Sequence, residues 1–251
     1  MRELAGEVEP PDASAAEAAR ERQSDLLKPQ GSLGRLEEIG ARLAGMAGAP
    51  PPVPENPAVV ICAGDHGVLA RGVSPWSRAV TAAMVENFCA GGAAVNAIAR
   101  TVGARVSVLD VGVASYLDRH PLLRGAKVRF GTGDPIGTLA ALGGLEHAAL
   151  VGMILTGAVY GIPVLLDGIV SNSAALVARA LAPDSIDYTI AGHLSAEPGA
   201  RVALEKLGLE PLLDLNMRLG EGSGGLLAVP LVQAAARTLR EMATMQEAGV
   251  A

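Results

Sequence analysis

The segment Ala58-Val59-Val60-Ile61-Cys62-Ala63-Gly64-Asp65-His66-Gly67 joins a short apolar run to a glycine turn that carries two polar side chains. Its six apolar residues predict a buried strand, and the glycines predict the sharp turn that ends it. Three later runs have the same form, at residues 105–111, 162–166 and 186–190. Stretches of helical periodicity separate these runs, so the sequence predicts an α/β fold with a mostly parallel sheet flanked by helices.

Helices are expected before, between and after these strands. The first helical region, residues 12–48, is broken at Pro29 and Gly31, and Ser32 is predicted to be the N-cap of its second helix. A proline-rich linker, residues 47–54, follows this region. Further helices are predicted at residues 78–100, 144–161, 173–181, 200–207 and 224–245.

Composition excludes several classes of function. The chain has 251 residues, a formal net charge of −6 and no long basic stretch, so we expect no nucleic-acid partner. The longest apolar region, residues 148–166, is interrupted by glycines and a proline, so we expect no membrane span. Two cysteines without CxxC spacing and a polar N-terminus favour a cytoplasmic protein. The four histidines lack metal-ligand spacing, and neither a metal nor another cofactor is expected.

Polar side chains recur where the predicted strands end. Asp65 and His66 follow the first strand, Asp110 lies in the second, and Asp167 and His193 follow the third and fourth. In a parallel sheet these ends lie on one edge, so the groups could share one pocket. A structural role is the alternative for each. Asp110 and Asp167 could each cap a helix. His66 and His193 could each be a hydrogen-bonded core residue.

A glycine-rich turn, Met217-Arg218-Leu219-Gly220-Glu221-Gly222-Ser223-Gly224-Gly225, precedes the last predicted helix. Such a turn offers free backbone N–H groups and the positive end of a helix dipole. Its spacing matches neither the dinucleotide-binding fingerprint nor the P-loop. From the local sequence alone, Glu221 is better explained as a partner of the helix dipole than as a catalytic residue.

The order of the motifs resembles one family, the nicotinate-nucleotide:dimethylbenzimidazole phosphoribosyltransferases of cobalamin assembly. The resemblance covers nearly the whole chain. Besides Ala63-Gly64-Asp65-His66-Gly67-Val68 and Arg218-Leu219-Gly220-Glu221-Gly222-Ser223-Gly224, the matching segments are Lys28-Pro29-Gln30-Gly31-Ser32-Leu33-Gly34-Arg35-Leu36-Glu37, Val80-Thr81 through Asn87-Phe88, Gly91-Gly92-Ala93-Ala94, Asp110-Val111-Gly112-Val113, Ala140-Ala141-Leu142-Gly143-Gly144-Leu145-Glu146, Leu166-Asp167-Gly168 and Gly192-His193-Leu194-Ser195-Ala196-Glu197-Pro198-Gly199.

The resemblance implies a function and an architecture. The function is transfer of 5-phosphoribose from nicotinate mononucleotide to 5,6-dimethylbenzimidazole. The architecture is a homodimer in which residues 55–225 form a Rossmann-like domain and residues 1–50 and 226–251 form a small helical subdomain. Glu221 is then the general base. The residues expected to bind substrate are Asp65, His66, Leu219, Gly220, Gly222, Ser223, Gly224, Asp167 and His193.

One departure from the family lies at Thr132 to Asp134. The family carries a long segment there, including a Gly-Glu-Met-Gly-Ile-Gly-Asn-Thr-Thr type loop that resembles a phosphate-binding element, and this chain lacks it. Three interpretations follow. The chain could be a shortened active transferase, with phosphate held by arginines or by the backbone of residues 222–225. It could instead be a family-derived binding protein for a benzimidazole or nucleotide, or an unrelated α/β hydrolase or transferase acting on a small acid. The intact Glu221 turn favours the first.

Overall fold

The computed structural model describes residues 2–72, 76–125 and 144–250. Residues 140–143 of the family-like segment and the junction at Thr132 to Asp134 lie outside these residues. The described elements follow in chain order: α1 (Arg2–Gly6), α2 (Ala13–Asp25), α3 (Arg35–Ala47), β1 (Ala58–Gly64), a 3-10 helix (Gly67–Arg71), α4 (Ala79–Ala90), α5 (Ala94–Val102), β2 (Arg105–Gly112), β3 (Leu123–Gly125), α6 (Leu145–Val159), β4 (Val164–Leu166), α7 (Ile169–Leu181), a second 3-10 helix (Pro183–Tyr188), β5 (Thr189–Ala191), α8 (Ala200–Leu207) and α9 (Ser223–Glu241).

The strands are parallel, as predicted. β1 pairs with β2 from Ala58 opposite Arg105, and β2 also pairs with β3. β4 pairs with β5 in a separate sheet, so the described strands form one sheet of three and one of two. Leu165 of β4 packs against the same apolar core as Ile61 of β1. The two sheets therefore share a core of side chains but no backbone hydrogen bonds. The apolar pattern of the sequence reflects burial in that core and does not show which strands pair, so it predicted a single sheet.

Several predicted boundaries shift for local reasons. The predicted helix at 78–100 is two helices, because Gly91 adopts a φ of 80° and ends α4. The predicted strand at 186–190 begins as a 3-10 helix that starts at Pro183, and the extended backbone starts at Thr189. The predicted helix at 200–207 is confirmed with the same bounds.

The prediction for Ser32 is wrong. α3 begins at Arg35 with Gly34 in the N-cap position and no side-chain cap. The turn before it is closed instead by Glu37, whose Oε1 accepts hydrogen bonds from the Leu33 N–H (3.0 Å) and the Lys28 ammonium (2.7 Å). A part-buried ion pair therefore takes the place of a serine cap, and the hydrogen bond from Lys28 holds the pKa of Glu37 below its usual value.

The two ends of the chain pack together. Ala19 of α2, Ala41 and Ala44 of α3 and Leu239 of α9 form a buried cluster in which the small side chains allow close helix contact. The Arg22 guanidinium donates to the Leu239 carbonyl (2.7 Å), which satisfies an acceptor at the end of α9. Across residues 2–72, 76–125 and 144–250, none of the helices combines the length and apolar character that crossing a bilayer requires.

Candidate active site

Asp167 follows β4 and caps a helix that begins more than fifty residues later in the chain. Its Oδ1 accepts hydrogen bonds from the N–H groups of Gly224 (2.8 Å) and Gly225 (3.0 Å), and its Oδ2 accepts one from Gly222 (3.2 Å). Burial raises the pKa of Asp167, but hydrogen bonds from His193 and from the N–H groups of Gly225 and Gly222 outweigh burial and hold it below its usual value. Asp167 is therefore an ionised cap at the N-terminus of α9.

The other N–H groups of this turn are also occupied. Ser223 donates its backbone N–H to the Gly220 carbonyl (3.1 Å), and Leu226 donates to Gly222 (2.9 Å). Together with the three bonds to Asp167, every backbone N–H from residue 222 to residue 226 has a partner. This arrangement contradicts the expectation that the backbone of residues 222–225 holds a phosphate.

The glycines of the turn are required by close contacts between backbone segments. A Cβ on Gly192 would lie 2.8 Å from the Gly225 Cα and 2.9 Å from the Leu166 carbonyl oxygen. A Cβ on Gly224 would overlap the His193 imidazole. Three segments from different parts of the chain thus meet where a side chain has no room, which accounts for the glycine-rich sequence without a bound anion.

His193 is almost fully buried beside this cap. It is 2% exposed, and its Nε2 lies 3.5 Å from Asp167 Oδ1. Its Nδ1 is buried, and the described residues supply no hydrogen-bond partner for it. The geometry favours the structural role for His193, with the ring packed against Gly224 and next to Asp167.

Glu221 is half-buried in the same turn and has a backbone conformation that is uncommon for a residue with a side chain. Its φ is 63°, and the neighbouring Gly220 and Gly222 have φ values of 80° and 82°. Within the described part of the chain, no hydrogen bond reaches the Glu221 carboxylate. Burial and then the nearby Asp167 carboxylate raise the pKa of Glu221. Because Asp167 already caps α9, the helix-dipole explanation of Glu221 loses its support.

A second group of polar side chains lies around Glu146, at the start of α6. Glu146 Oε1 is 3.0 Å from Nε2 of His66 and 3.0 Å from Nδ1 of His147. The other ring nitrogen of His147 lies 3.0 Å from the Ser173 hydroxyl in α7. These contacts form a continuous chain from the end of β1, across the start of α6, to the first turns of α7.

Glu146 and His66 each shift the pKa of the other. Burial raises the pKa of Glu146, but hydrogen bonds from His147 and His66 outweigh burial and lower it to about 2. The same bond from Glu146 is the main reason why the pKa of His66 is raised. Glu146 Oε2 is buried and has no hydrogen-bond partner within residues 2–72, 76–125 and 144–250. Neither Glu146 nor His147 was predicted to be a site residue, although two adjacent ionisable residues at a helix start were a usable signal.

Asp65 and Asp110 brace the loop that follows β2. Asp65 Oδ2 accepts a hydrogen bond from the Ala114 N–H (2.7 Å), and Asp110 Oδ1 accepts from Gly112 (3.1 Å) and Val113 (2.9 Å). Asp110 thus closes a turn rather than capping a helix.

Asp110 also lines a cavity of about 500 Å³ at the ends of β2 and β3, together with Tyr116, Leu117, Asp118, Arg119, His120, Leu123 and Gly125.

The strand-end residues therefore fall into neighbouring groups rather than one cluster of contacts. Asp167, His193 and Glu221 belong to the turn before α9. Gly168, at the start of α7, lies next to Ser195 on that side, and a Cβ on Gly168 would be 3.6 Å from the Ser195 hydroxyl. Ser173, further along α7, contacts His147, and the contacts continue from His147 through Glu146 to His66. α7 is the element that the two groups share.

The sequence and fold match known phosphoribosyltransferases. A family described as Phosphoribosyltransferase matches the chain in two parts, residues 8–135 and 132–250. The nicotinate-nucleotide–dimethylbenzimidazole phosphoribosyltransferase of Salinispora tropica is 40% identical over 353 residues, covering 97% of this chain and 97% of the relative. The protein of the same name from Deinococcus radiodurans is 37% identical over 348 residues, covering 100% of this chain and 95% of the relative.

A solved structure agrees with these relatives. The crystal structure of the enzyme of that name from Thermus thermophilus superposes with a TM-score of 0.88 at 37% identity, covering 96% of this chain and 99% of that chain. The two parts of the family match meet at residues 132–135, and the Salinispora alignment spans 353 residues whereas this chain has 251. The predicted gap at Thr132 to Asp134 is thereby confirmed. The chain belongs to the family of nicotinate-nucleotide–dimethylbenzimidazole phosphoribosyltransferases.

Proposed function

We propose that this protein transfers 5-phosphoribose from nicotinate mononucleotide to 5,6-dimethylbenzimidazole, giving α-ribazole 5′-phosphate and nicotinate. The observation that carries the proposal is the Glu221 carboxylate. It is part-buried, lies in a turn fixed by Asp167, and has no hydrogen-bond partner in the described part of the chain. Membership of a family whose relatives carry this name supports the same reaction.

The reaction needs one proton acceptor and no proton donor. Nicotinate leaves the nucleotide as a neutral pyridine nitrogen, so the leaving group needs no general acid. The benzimidazole attacks C1′ through one ring nitrogen and loses the proton on the other. Glu221 accepts that proton, a contribution typically worth on the order of 10²–10⁴ in rate. Its raised pKa suits the role, because a base is more effective when its pKa is closer to the working pH.

Attack from the face opposite the leaving group explains the stereochemistry. The nucleotide is β-linked, and a single displacement at C1′ inverts it to the α-linked product. The azole must therefore lie on one side of the ribose and the pyridine on the other. We assign the azole side to the Glu221 turn, with Leu219 as an apolar contact, because Leu219 lies beside Glu221 and is 53% exposed. We assign Asp65 and His66 to the azole side as well, from the neighbouring group at the end of β1.

The phosphate requires a different site from the backbone of the glycine turn, whose N–H groups are occupied. Arg119 is exposed, lines the cavity at the ends of β2 and β3, and forms no hydrogen bond to the described residues. A guanidinium can bind a phosphate through two parallel hydrogen bonds. We assign the 5′-phosphate to Arg119, with His120 beside it.

The assembly and location of the protein belong to the same proposal. We expect a cytoplasmic homodimer with a Rossmann-like domain at residues 55–225 and a helical subdomain at residues 1–50 and 226–251. The free thiols of Cys62 and Cys89 suit a reducing compartment. Packing of α2 and α3 against α9 supports the subdomain. The exposed side chains of Tyr160 and Ile162 offer apolar area for a second copy.

The direct test is to incubate the purified protein with nicotinate mononucleotide and dimethylbenzimidazole and to detect α-ribazole phosphate by mass spectrometry. We expect product with the wild type and none with Glu221→Gln. If dimethylbenzimidazole binds by calorimetry but no product forms, the chain is a family-derived binding protein. If neither substrate binds, the function lies outside this reaction. Native mass spectrometry of the same sample tests the dimer.

A further inference from the structure

The backbone conformation of the glycine turn must be fixed by a group that lies outside the turn. Gly220, Glu221 and Gly222 all have positive φ values, and left-handed backbone normally occurs in single residues rather than in runs. A residue with a side chain keeps such a conformation when its surroundings fix it. The hydrogen bonds from Ser223 to the Gly220 carbonyl close the turn from within, through the N–H (3.1 Å) and the hydroxyl (2.6 Å).

Asp167 is the group that fixes the turn from outside. Its two carboxylate oxygens hold the N–H groups of Gly222, Gly224 and Gly225, on the C-terminal side of Glu221. The carboxylate comes from the end of β4, a strand that pairs with β5 and is anchored in the core through Leu166. The Asp167 side chain therefore ties the turn to β4 by three hydrogen bonds.

We propose that Asp167 is a positioning residue for Glu221, and that its carboxylate fixes the left-handed backbone of the turn and so sets where the Glu221 carboxylate meets the azole. This inference rests on the proposed function, in which Glu221 is the base. It assigns Asp167 to the turn and not to the substrate. Both oxygens of Asp167 are already engaged by backbone donors, and His193 covers it from a third side.

Asp167 also acts on Glu221 through charge. Among the described residues, Asp167 follows β4 and binds the turn, His193 follows β5 and lies against Gly224, and Arg218 is three residues before Glu221 in the chain. β1, which lies against Gly222 through Val59, carries Cys62 as its one ionisable side chain. Asp167 is the charged group that raises the pKa of Glu221, in addition to burial. Removal of this charge at constant shape therefore makes Glu221 easier to ionise.

The test compares Asp167→Asn with the wild type in pH profiles of kcat and KM for the proposed transfer. Asparagine keeps the shape of the side chain and loses its charge. Its NH₂ group also replaces one of the two oxygens that accept hydrogen bonds from the turn. We expect kcat to fall on the order of 10²-fold, because small displacements of a reacting group have effects of this size. KM for nicotinate mononucleotide stays within about threefold of the wild type, since Asp167 does not touch the nucleotide. The acid limb of kcat/KM moves to lower pH, because the pKa of Glu221 falls.

Two controls separate charge from geometry. Asp167→Glu keeps the charge but displaces the turn, so its kcat falls while the acid limb stays near that of the wild type. Asp214→Asn removes an exposed aspartate upstream of the turn and leaves both quantities unchanged. The inference is overturned if Asp167→Asn has wild-type kcat and an unmoved acid limb. It is also overturned if KM for the nucleotide rises more than tenfold at constant kcat, or if kcat falls without a shift of the limb.

Two measurements do not depend on turnover. In the wild type, the amides of Gly224 and Gly225 should exchange with solvent slowly, although first-turn amides are normally unprotected. In carbon-13 spectra of the glutamate side-chain carboxyls, assigned through Glu221→Gln, the pKa of Glu221 should be lower in Asp167→Asn. Fast exchange or an unchanged titration overturns the inference. If the wild type makes no α-ribazole phosphate, the proposed function fails, and these two measurements still decide the role of Asp167.

Discussion

His66 Nε2 lies 3.0 Å from Glu146 Oε1, which joins the end of β1 to the start of α6. The bond crosses between two elements that no local sequence pattern pairs. Glu146 Oε1 also lies 3.0 Å from His147 Nδ1, so one carboxylate oxygen contacts two imidazole rings. Such a group stabilises the fold while the carboxylate is ionised and the partners are in place, and it becomes costly when either condition fails.

Glu146→Gln should therefore lower the free energy of unfolding by about 2 kcal/mol near neutral pH, because bonds to a buried charge are lost. The pKa of Glu146 is lowered to about 2 from its usual value of 4.5, so its contribution is present above 4.5 and is lost as pH falls towards 2. The pKa of His66 is raised from 6.5, so its contribution is present below 6.5 and is lost as pH rises through the folded value.

The difference between wild type and Glu146→Gln should consequently be largest between about pH 4.5 and 6.5, and smaller at either extreme. Urea denaturation across this range measures it. Glu210→Gln, at an exposed position, is the control and should change stability by less than about 0.5 kcal/mol. A difference that is flat with pH would show that the His66–Glu146 bond is not ionic.

Glu221→Gln should keep the fold and abolish transfer. The amide has nearly the same shape but cannot accept the azole proton, so kcat should fall by at least about 10²–10⁴-fold, to a level at which no product is detected. Melting temperature should stay close to that of the wild type, because the carboxylate makes no hydrogen bond to the described residues. Turnover by liquid chromatography and unfolding by circular dichroism provide the two readouts. Near-normal turnover in this variant would remove Glu221 from the role of base.

The sequence predicted the strand ends well, because a buried apolar run followed by glycine has few alternatives. It predicted β4 and β5 less accurately, because strands of three residues show no measurable alternation. The 3-10 helix that starts at Pro183 continues to Tyr188 and so occupies the first three residues of the predicted fourth strand. The pairing of β4 with β5 in a sheet of their own depends on contacts between distant segments, which periodicity does not encode.

The same limit explains the site. Asp167 stood out as a strand-end carboxylate, but its partners lie at residues 222–225, and no local pattern connects the two. The glycines of that turn suggested an anion cradle, whereas Gly224 is needed for contact with His193 and Gly192 for contact with Gly225. Family resemblance compares whole motifs and so proposes Glu221 as the base, whereas its local sequence alone favours a partner of the helix dipole.

Gly192→Ala tests the close packing beneath the turn. The added methyl would meet the Gly225 Cα and the Leu166 carbonyl oxygen at 2.8 and 2.9 Å, and backbone at both places can move little. We expect a loss of about 1–3 kcal/mol in the free energy of unfolding. Gly152→Ala in α6 is the matched control, since no described atom lies within 4 Å of the position its Cβ would take, and alanine favours a helix interior by about 0.5–1 kcal/mol. The two substitutions should shift thermal unfolding in opposite directions, and a shared direction would contradict the packing argument.

Nicotinate mononucleotide should bind this chain more weakly than it binds relatives that keep the segment absent here at Thr132 to Asp134. A phosphate that loses a dedicated loop loses several charge-assisted hydrogen bonds, and Arg119 replaces only some of them. Calorimetric titration measures the Kd, which we expect to be weaker than micromolar.

Arg119→Ala should weaken binding by a further factor on the order of 10, because one ionic contact is removed. Arg124→Ala, on β3 but outside the cavity lining, is the matched control and should leave the Kd within about twofold. Micromolar or tighter binding by the wild type would mean that the phosphate has a complete site in this chain. An Arg119→Ala variant with unchanged affinity would place that site away from the ends of β2 and β3.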